Sequence, residues 1–283
     1  MKRHDGAVAA AACAAILSLC AGCFDHREAP KRPVTATSID EAAAIGDTVE
    51  RVVLNGSGIK SVPAELAALP ALATLHMRGC PLEDFAGLAS LATLRELDIS
   101  ENRLEKAPAE IASLASLEHL YLASCSLKEF PDSVAGLANL AYLNLDRNEI
   151  ASLPDALPAS LKWLRLNHNK LTSLPESIGS LTGLKRLYLG NNQLTALPDA
   201  IASLNSLEDI ALGNNRLEAF PAALASMASL RNIDVRGNPS VTKLPEDLTG
   251  FAGLRTLTLS GCRIPKEERD RISAALPDCV INF

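Results

Sequence analysis

The chain contains one tryptophan and three tyrosines, and all four fall between positions 121 and 188: Tyr121, Tyr142, Trp163 and Tyr188. His119, Asn144, Arg165 and Arg186 are interleaved with them. Tyr, Trp and Arg each join apolar area to a polar tip, which is why they dominate the energetic centres of protein interfaces. These eight residues therefore suggest recognition of a protein or peptide. Sheet propensity is the simpler account, because aromatics favour exposed strand sites and stack across strands. It does not explain why equivalent sites nearer either end of the chain lack aromatics.

Residues suited to bond-making chemistry are present but unorganised. His119, His168, Asp98 and Asp146 are the right types for acid–base work. Nothing sets a nucleophile, a base and an orienting group at matched spacing. The runs Gly190-Asn191-Asn192 and Gly213-Asn214-Asn215 read as recurring turns, not as a phosphate-binding loop. Cys80, Cys125, Cys262 and Cys279 include no pair with zinc-finger spacing. The expectation is a non-catalytic protein with no cofactor and no metal site. The formal charge of −6 provides no basic footprint for nucleic acid.

The elements that must position the eight residues come from a repeat. A frame L-x-x-L-x-L-x-x-N-x-L starts at Val49, Leu72, Leu94, Leu117, Leu140, Leu161, Leu184, Leu207, Leu230 and Leu254, a period of 21 to 24 residues. Its clearest copy runs Leu184-Lys185-Arg186-Leu187-Tyr188-Leu189-Gly190-Asn191-Asn192-Gln193-Leu194. Such a unit is too small to bury its own apolar face and must stack on its neighbours as a solenoid. Frame positions four and six, from Val52 and Leu54 to Leu257 and Leu259, are apolar throughout. Two residues apart, they share one face of a strand. Positions three and five then point the other way, and these hold the aromatic and arginine cluster. Asp146, Arg147, Asn167 and His168 lie just beyond, at the strand ends.

Position nine is Asn at 102, 148, 169, 192, 215 and 238, where an amide can satisfy backbone groups leaving each strand. Cys80, Cys125 and Cys262 take the same position and read as small residues tolerated in that ladder. Cys80 and Cys125, two repeats apart, are beyond disulfide reach. Cys262 and Cys279 could pair in an oxidising compartment, with free thiols the favoured alternative. Phe85, Phe130 and Phe220, at position fourteen, read as core. The prolines that follow that position (Pro63, Pro108, Pro131, Pro154, Pro175, Pro198, Pro221 and Pro245) stop the strand and start a short helical or extended segment. The fifth copy is short and ends Leu153-Pro154-Asp155-Ala156-Leu157-Pro158.

On these residues the chain resembles the leucine-rich-repeat proteins, most closely repeats of the Ras-suppressor type, over roughly residues 49 to 264. The resemblance implies an α/β solenoid, a horseshoe of ten repeats with a parallel β-sheet on its concave face. The short fifth copy is similar to repeats of secreted bacterial effectors. A secreted effector or host-directed adhesin is therefore the alternative to an envelope recognition protein. A structural spacer is a further option that a featureless concave face would favour.

The start of the chain has a different pattern. Lys2 and Arg3 precede an apolar run from Ala7 to Gly22, too short for a comfortable membrane span. It ends Leu19-Cys20-Ala21-Gly22-Cys23, which resembles the lipobox of bacterial lipoproteins, with Cys20 where a Leu usually stands. The resemblance implies a signal peptide over 1–22 and lipidation of Cys23. Phe24, in place of Asp, implies an outer-membrane lipoprotein of the cell envelope. An ordinary secretory signal is the alternative. Residues 23–37 read as a flexible tether containing Pro30 and Pro33. Ser38-Ile39-Asp40-Glu41 is a capping box that opens a cap helix over 38–48, closed by Gly46. Repeats over 49–264 are followed by a C-terminal cap over 265–283, with a charged, solvated helix from Pro265 and a final strand from Cys279 to Phe283. Caps of this kind cover the edges a stacked sheet would leave bare.

Overall fold

The structure is a computed structural model that describes residues 32–283. The signal peptide, Cys23 and most of the tether lie outside the described residues. Each frame contributes one three-residue strand: β2 (Arg51–Val53), β3 (Thr74–His76), β4 (Glu96–Asp98), β5 (His119–Tyr121), β6 (Tyr142–Asn144), β7 (Trp163–Arg165), β8 (Arg186–Tyr188), β9 (Asp209–Ala211), β10 (Asn232–Asp234) and β11 (Thr256–Thr258). With β1 (Thr35–Ala36) and β12 (Val280–Asn282) they form a single sheet in strict chain order. Every pairing is parallel, and frame position meets frame position: Leu143 is opposite Leu120 and Leu164. The twenty side chains at positions four and six are buried, none more than 4 % exposed.

Between strands the chain returns through short 310 turns, among them Ala64–Ala68, Ala109–Ser113, Glu176–Ser180 and Asp199–Ser203. A proline precedes each of these four, and its carbonyl accepts the first i+3 bond, as Pro198 does from Ile201 at 3.1 Å. The middle residue of each (Leu66, Ile111, Ile178, Ile201) points into the core. The fifth repeat has no such turn between β6 and β7. Only residues 154–160 separate Leu153 from the next frame there, against 198–206 after Leu197, and two prolines occupy that span. The chain bends at Asp155 and closes on a single turn, the Pro158 carbonyl accepting from Leu161 at 3.2 Å.

Position eight carries a regularity of its own. Glu101, Ser124, Arg147, His168, Asn191 and Asn214 have φ between 56° and 61°, and Gly56, Gly79, Gly237 and Gly261 are also left-handed there. Every frame turns out of its strand through this conformation, which non-glycine residues adopt only at a cost.

Three differences from the sequence reading concern the ends. The tether was expected to continue to residue 37, yet Thr35–Ala36 pairs with Arg51–Val52 and Ala36 is fully buried. This segment covers the edge of β2, whose donors would otherwise be unpaired, and the Val34 carbonyl accepts from Glu50 and Arg51 at 3.0 and 3.1 Å. At helix α1 (Ile39–Ile45) the Ser38 hydroxyl accepts from the Glu41 amide at 3.1 Å, but Glu41 does not return a bond to Ser38. Its carboxylate accepts from the amide and hydroxyl of Thr37, both at 2.7 Å, which holds it below its ordinary pKa. Helix α2 (Lys266–Ala275) is more than a solvated face. Glu268 accepts from the Leu244 amide at 2.8 Å, and Arg271 donates to the carbonyls of Leu244, Pro245 and Glu246 while pairing with Glu268. The two residues tie the helix to the turn of the ninth repeat.

Candidate functional site

Strand register brings all eight singled-out residues onto one side of β5–β8. At position three, His119, Tyr142, Trp163 and Arg186 are successive partners; at position five, Tyr121, Asn144, Arg165 and Tyr188 are. All are half-buried, with the fully buried Leu between them pointing the other way. The rings make a continuous series. Tyr121 meets Tyr142 with centroids 4.9 Å apart, Tyr142 meets Trp163 edge-on at 5.0 Å, and Trp163 meets Tyr188 edge-on at 5.7 Å. His119 packs against Tyr142 at 6.1 Å. Edge-to-face pairs of this kind add about 0.5–1.5 kcal/mol each beyond area burial.

Both arginines are held from two sides. The Arg186 guanidinium lies 4.7 Å from the Trp163 ring centre and pairs with Asp209 at 3.0 Å. Arg165 sits 5.7 Å from Tyr188 and 6.0 Å from Trp163, and pairs with Asp146, which also accepts from the amide and side chain of Asn167 at 2.8 and 3.0 Å. Asp146 is buried, so Arg165 neutralises a charge that would otherwise be stranded. Burial pushes the Tyr121 hydroxyl up to about 12 and raises Tyr142 and Tyr188 too. All three hydroxyls keep their protons at neutral pH and can donate. The Trp163 indole N–H is shielded from solvent and has no acceptor. Asn144 is partly committed, its carbonyl oxygen accepting from the Asp146 amide at 3.0 Å.

The four acid–base candidates are not assembled. Asp98 accepts from the Ser100 amide, Asp146 is bound to Arg165, His119 stacks on Tyr142, and the His168 ring meets Asn191 at 3.3 Å. Among the described residues no hydrogen bond or ion pair joins any two of them, and no three metal-ligating side chains converge. Residues that spacing alone did not couple to the site are Asp146 and Asp209, the anions that fix the two arginines. Their position one strand away from a basic partner was the available signal.

Residues 92–150 match a leucine rich repeat model, and residues 158–283 match a leucine-rich repeat region model. The chain belongs to the leucine-rich-repeat family. Among solved structures, an internalin of Listeria monocytogenes is 24% identical with a TM-score of 0.67, covering 84% of this chain and 68% of its own. Internalin C2 of the same organism is also 24% identical, with a TM-score of 0.59 and coverage of 70% and 82%. At that identity the likeness is one of fold. No curated protein matches the sequence.

As a leucine-rich-repeat protein, the chain shows what the position-nine ladder does. Asn192 donates to the carbonyls of Leu166 and Leu189, both at 2.9 Å, and accepts from the Leu171 amide at 3.0 Å. Cysteine reproduces one of these bonds. The thiols of Cys80, Cys125 and Cys262 reach the position-six carbonyl of the preceding repeat, at Leu54, Ile99 and Val235, over 3.2–3.3 Å. They are donors, and not merely small. Burial raises the Cys125 thiol to about 12, so it stays protonated to do this. All four described cysteines, Cys262 and Cys279 included, are free thiols. Asn102 is the exception among the amides. Its oxygen has no partner, because the Leu82 amide that should reach it turns back to Cys80 across Pro81.

Proposed function

We propose that this is a lipid-anchored, non-catalytic recognition protein of the bacterial envelope, holding a protein or peptide partner against the exposed face of β5–β8. The observation that carries the reading is the unbroken series Tyr121–Tyr142–Trp163–Tyr188 with two arginines locked onto it. Preorganised aromatics lose little entropy when a partner lands on them. The family is one of binding scaffolds, which agrees. The anchor rests on the lipobox-like residues ending at Cys23, and an outer-membrane location on the same segment with Phe24.

The test is capture from an envelope extract with wild-type protein and with Trp163→Ala/Tyr142→Ala. The double variant is expected to fold and to lose the partner; retention of the partner would refute the reading. Arg165→Ala is a poor probe, because it exposes the Asp146 carboxylate to loss of its cation. For the anchor, Cys23→Ser is expected to move the protein from the membrane to the soluble fraction. The short fifth repeat, whose return lacks a 310 helix, favours a second reading, a secreted effector or host-directed adhesin. Recovery of unlipidated wild-type protein from the culture medium would support it.

A further inference from the structure

Next to the aromatic series lies an open cleft of about 640 Å3, at the ends of β8–β11 where the strands begin. Lys185, Arg186, Arg231 and Arg255 line it, with Glu208 and Asp209 among them. Its formal balance is positive in a chain that is negative overall. The two acids are already used: Asp209 pairs with Arg186, and Glu208 lies 3.6 Å from Lys185. Arg231 spends one nitrogen on the carbonyls of Ala228, Leu230 and Gly253, leaving the rest of its guanidinium. Arg255 is exposed and makes no hydrogen bond or ion pair with any described side chain. Arg186 belongs to both places, since it lines the cleft and lies over Trp163.

We propose that the partner contributes an acidic, extended peptide segment that spans both features. This rests on the central-face reading and makes it specific. Three demands converge on that chemistry. The tyrosine and tryptophan surfaces need an apolar side chain. The unpaired Trp163 N–H needs an acceptor such as a peptide carbonyl, which a small shift of its covering side chains would admit. The cleft needs carboxylates. A dense polyanion is disfavoured because Glu208 and Asp209 would face its phosphates; a single carboxylate can meet Arg255, which stands two strands from both acids. The register also sets a spacing. Arg231 and Arg255 stand three and four strands beyond Trp163, about 14–19 Å at the usual strand separation, which an extended peptide crosses in about four to six residues.

The experiment is selection of a random peptide library displayed on phage against the full chain. Enriched peptides are expected to carry an aromatic, aliphatic or proline residue and, about five residues away, Asp or Glu. The best peptide is then titrated against wild type, Trp163→Ala and Lys185→Glu/Arg255→Glu, leaving Arg231 in place because it holds the backbone. The charge-reversed variant is expected to bind about tenfold more weakly, and to recover when the peptide's acids are replaced by Lys. If Trp163→Ala abolishes binding while charge reversal does nothing, the acidic-peptide inference falls and the central-face reading stands. If neither variant matters, both fall. Selection of basic or neutral peptides, no enrichment at all, or tighter binding of an oligonucleotide or of inorganic phosphate at the same cleft each overturns the inference.

Discussion

The two faces of the sheet are built from the same short strands and follow opposite rules. On β7, Leu164 is fully buried while its neighbours Trp163 and Arg165 are half-exposed. The buried face repeats one solution ten times, because each leucine must fit the leucines above and below it. The other face varies from repeat to repeat: Thr and His on β3, Glu and Asp on β4, aromatics and Arg on β5–β8, Asp and Ala on β9. Stacking constrains only one side of a solenoid, so the other is free to carry information. Concentration of the chain's Tyr and Trp on four adjacent strands is where that freedom has been used.

The largest expected effect tests the buried face. Leu164→Ala is expected to lose about 2–5 kcal/mol in denaturant unfolding, since its neighbours cannot close the cavity without breaking register. Trp163→Ala, one residue away on the opposite face, is expected to cost about 1–2 kcal/mol for its two edge-on ring contacts and the arginine above it. A tryptophan variant as unstable as the leucine variant would mean the exposed face is core after all, and the contrast would fail.

The ladder beneath the turns comes next. Asn192→Ala leaves the Leu171 amide without its acceptor and removes one of two amide donors from the Leu166 and Leu189 carbonyls, which Asn169 and Asn215 still reach, and about 1–3 kcal/mol is expected. Asn192→Cys should recover part of that, because a thiol can make the bond that Cys125 makes to Ile99. Equal losses from Ala and Cys would show that cysteine at position nine is tolerated for size alone.

A smaller effect separates the aromatic strands from the acidic strand beside them. Glu96 on β4 accepts from His76 at 2.6 Å, and this bond holds its carboxyl below the ordinary range, with Arg51 and His119 contributing. A depressed carboxylate pKa stabilises the fold above the unfolded-state value of about 4.3 and ceases to as pH falls through the native value. Glu96→Gln is expected to be less stable than wild type at neutral pH, with the difference vanishing under acid conditions in a pH series of unfolding midpoints. A difference that persists at acid pH would assign the effect to packing.

These contrasts also separate what could be read from residue order from what could not. Alternation of Leu164 and Leu166 with Trp163 and Arg165 is a local signal of period two, so both faces were legible. The Asn column was legible for the same reason. Pairing of Arg165 with Asp146 and of Arg186 with Asp209 was not, because it depends on side-chain reach between repeats about twenty residues apart. Thr35–Ala36 looks like tether by composition; only the unsatisfied edge of β2 makes it a strand. The short return of the fifth repeat was visible as missing residues but not as a missing 310 helix.

The left-handed column at position eight was hidden most completely, because glycine marks it in four repeats and six other residues occupy it elsewhere. That difference yields the finest test. Both residues donate their backbone amide to the next repeat, but the Arg147 side chain, at φ 59°, makes no hydrogen bond or ion pair, whereas Asn191, at φ 56°, belongs to a type that tolerates this region and links Asn214 to His168 through its side chain. Arg147→Gly relieves about 1–2 kcal/mol of backbone strain and adds back some of it as unfolded-chain entropy, so a net gain of about 0.5–1 kcal/mol is expected. Asn191→Gly loses two side-chain bonds for little relief and should be neutral or destabilising. If the two glycine variants shift the unfolding midpoint equally, side-chain identity at this turn is irrelevant to stability, and the variation along the column would have to be explained by what the loop tips contact.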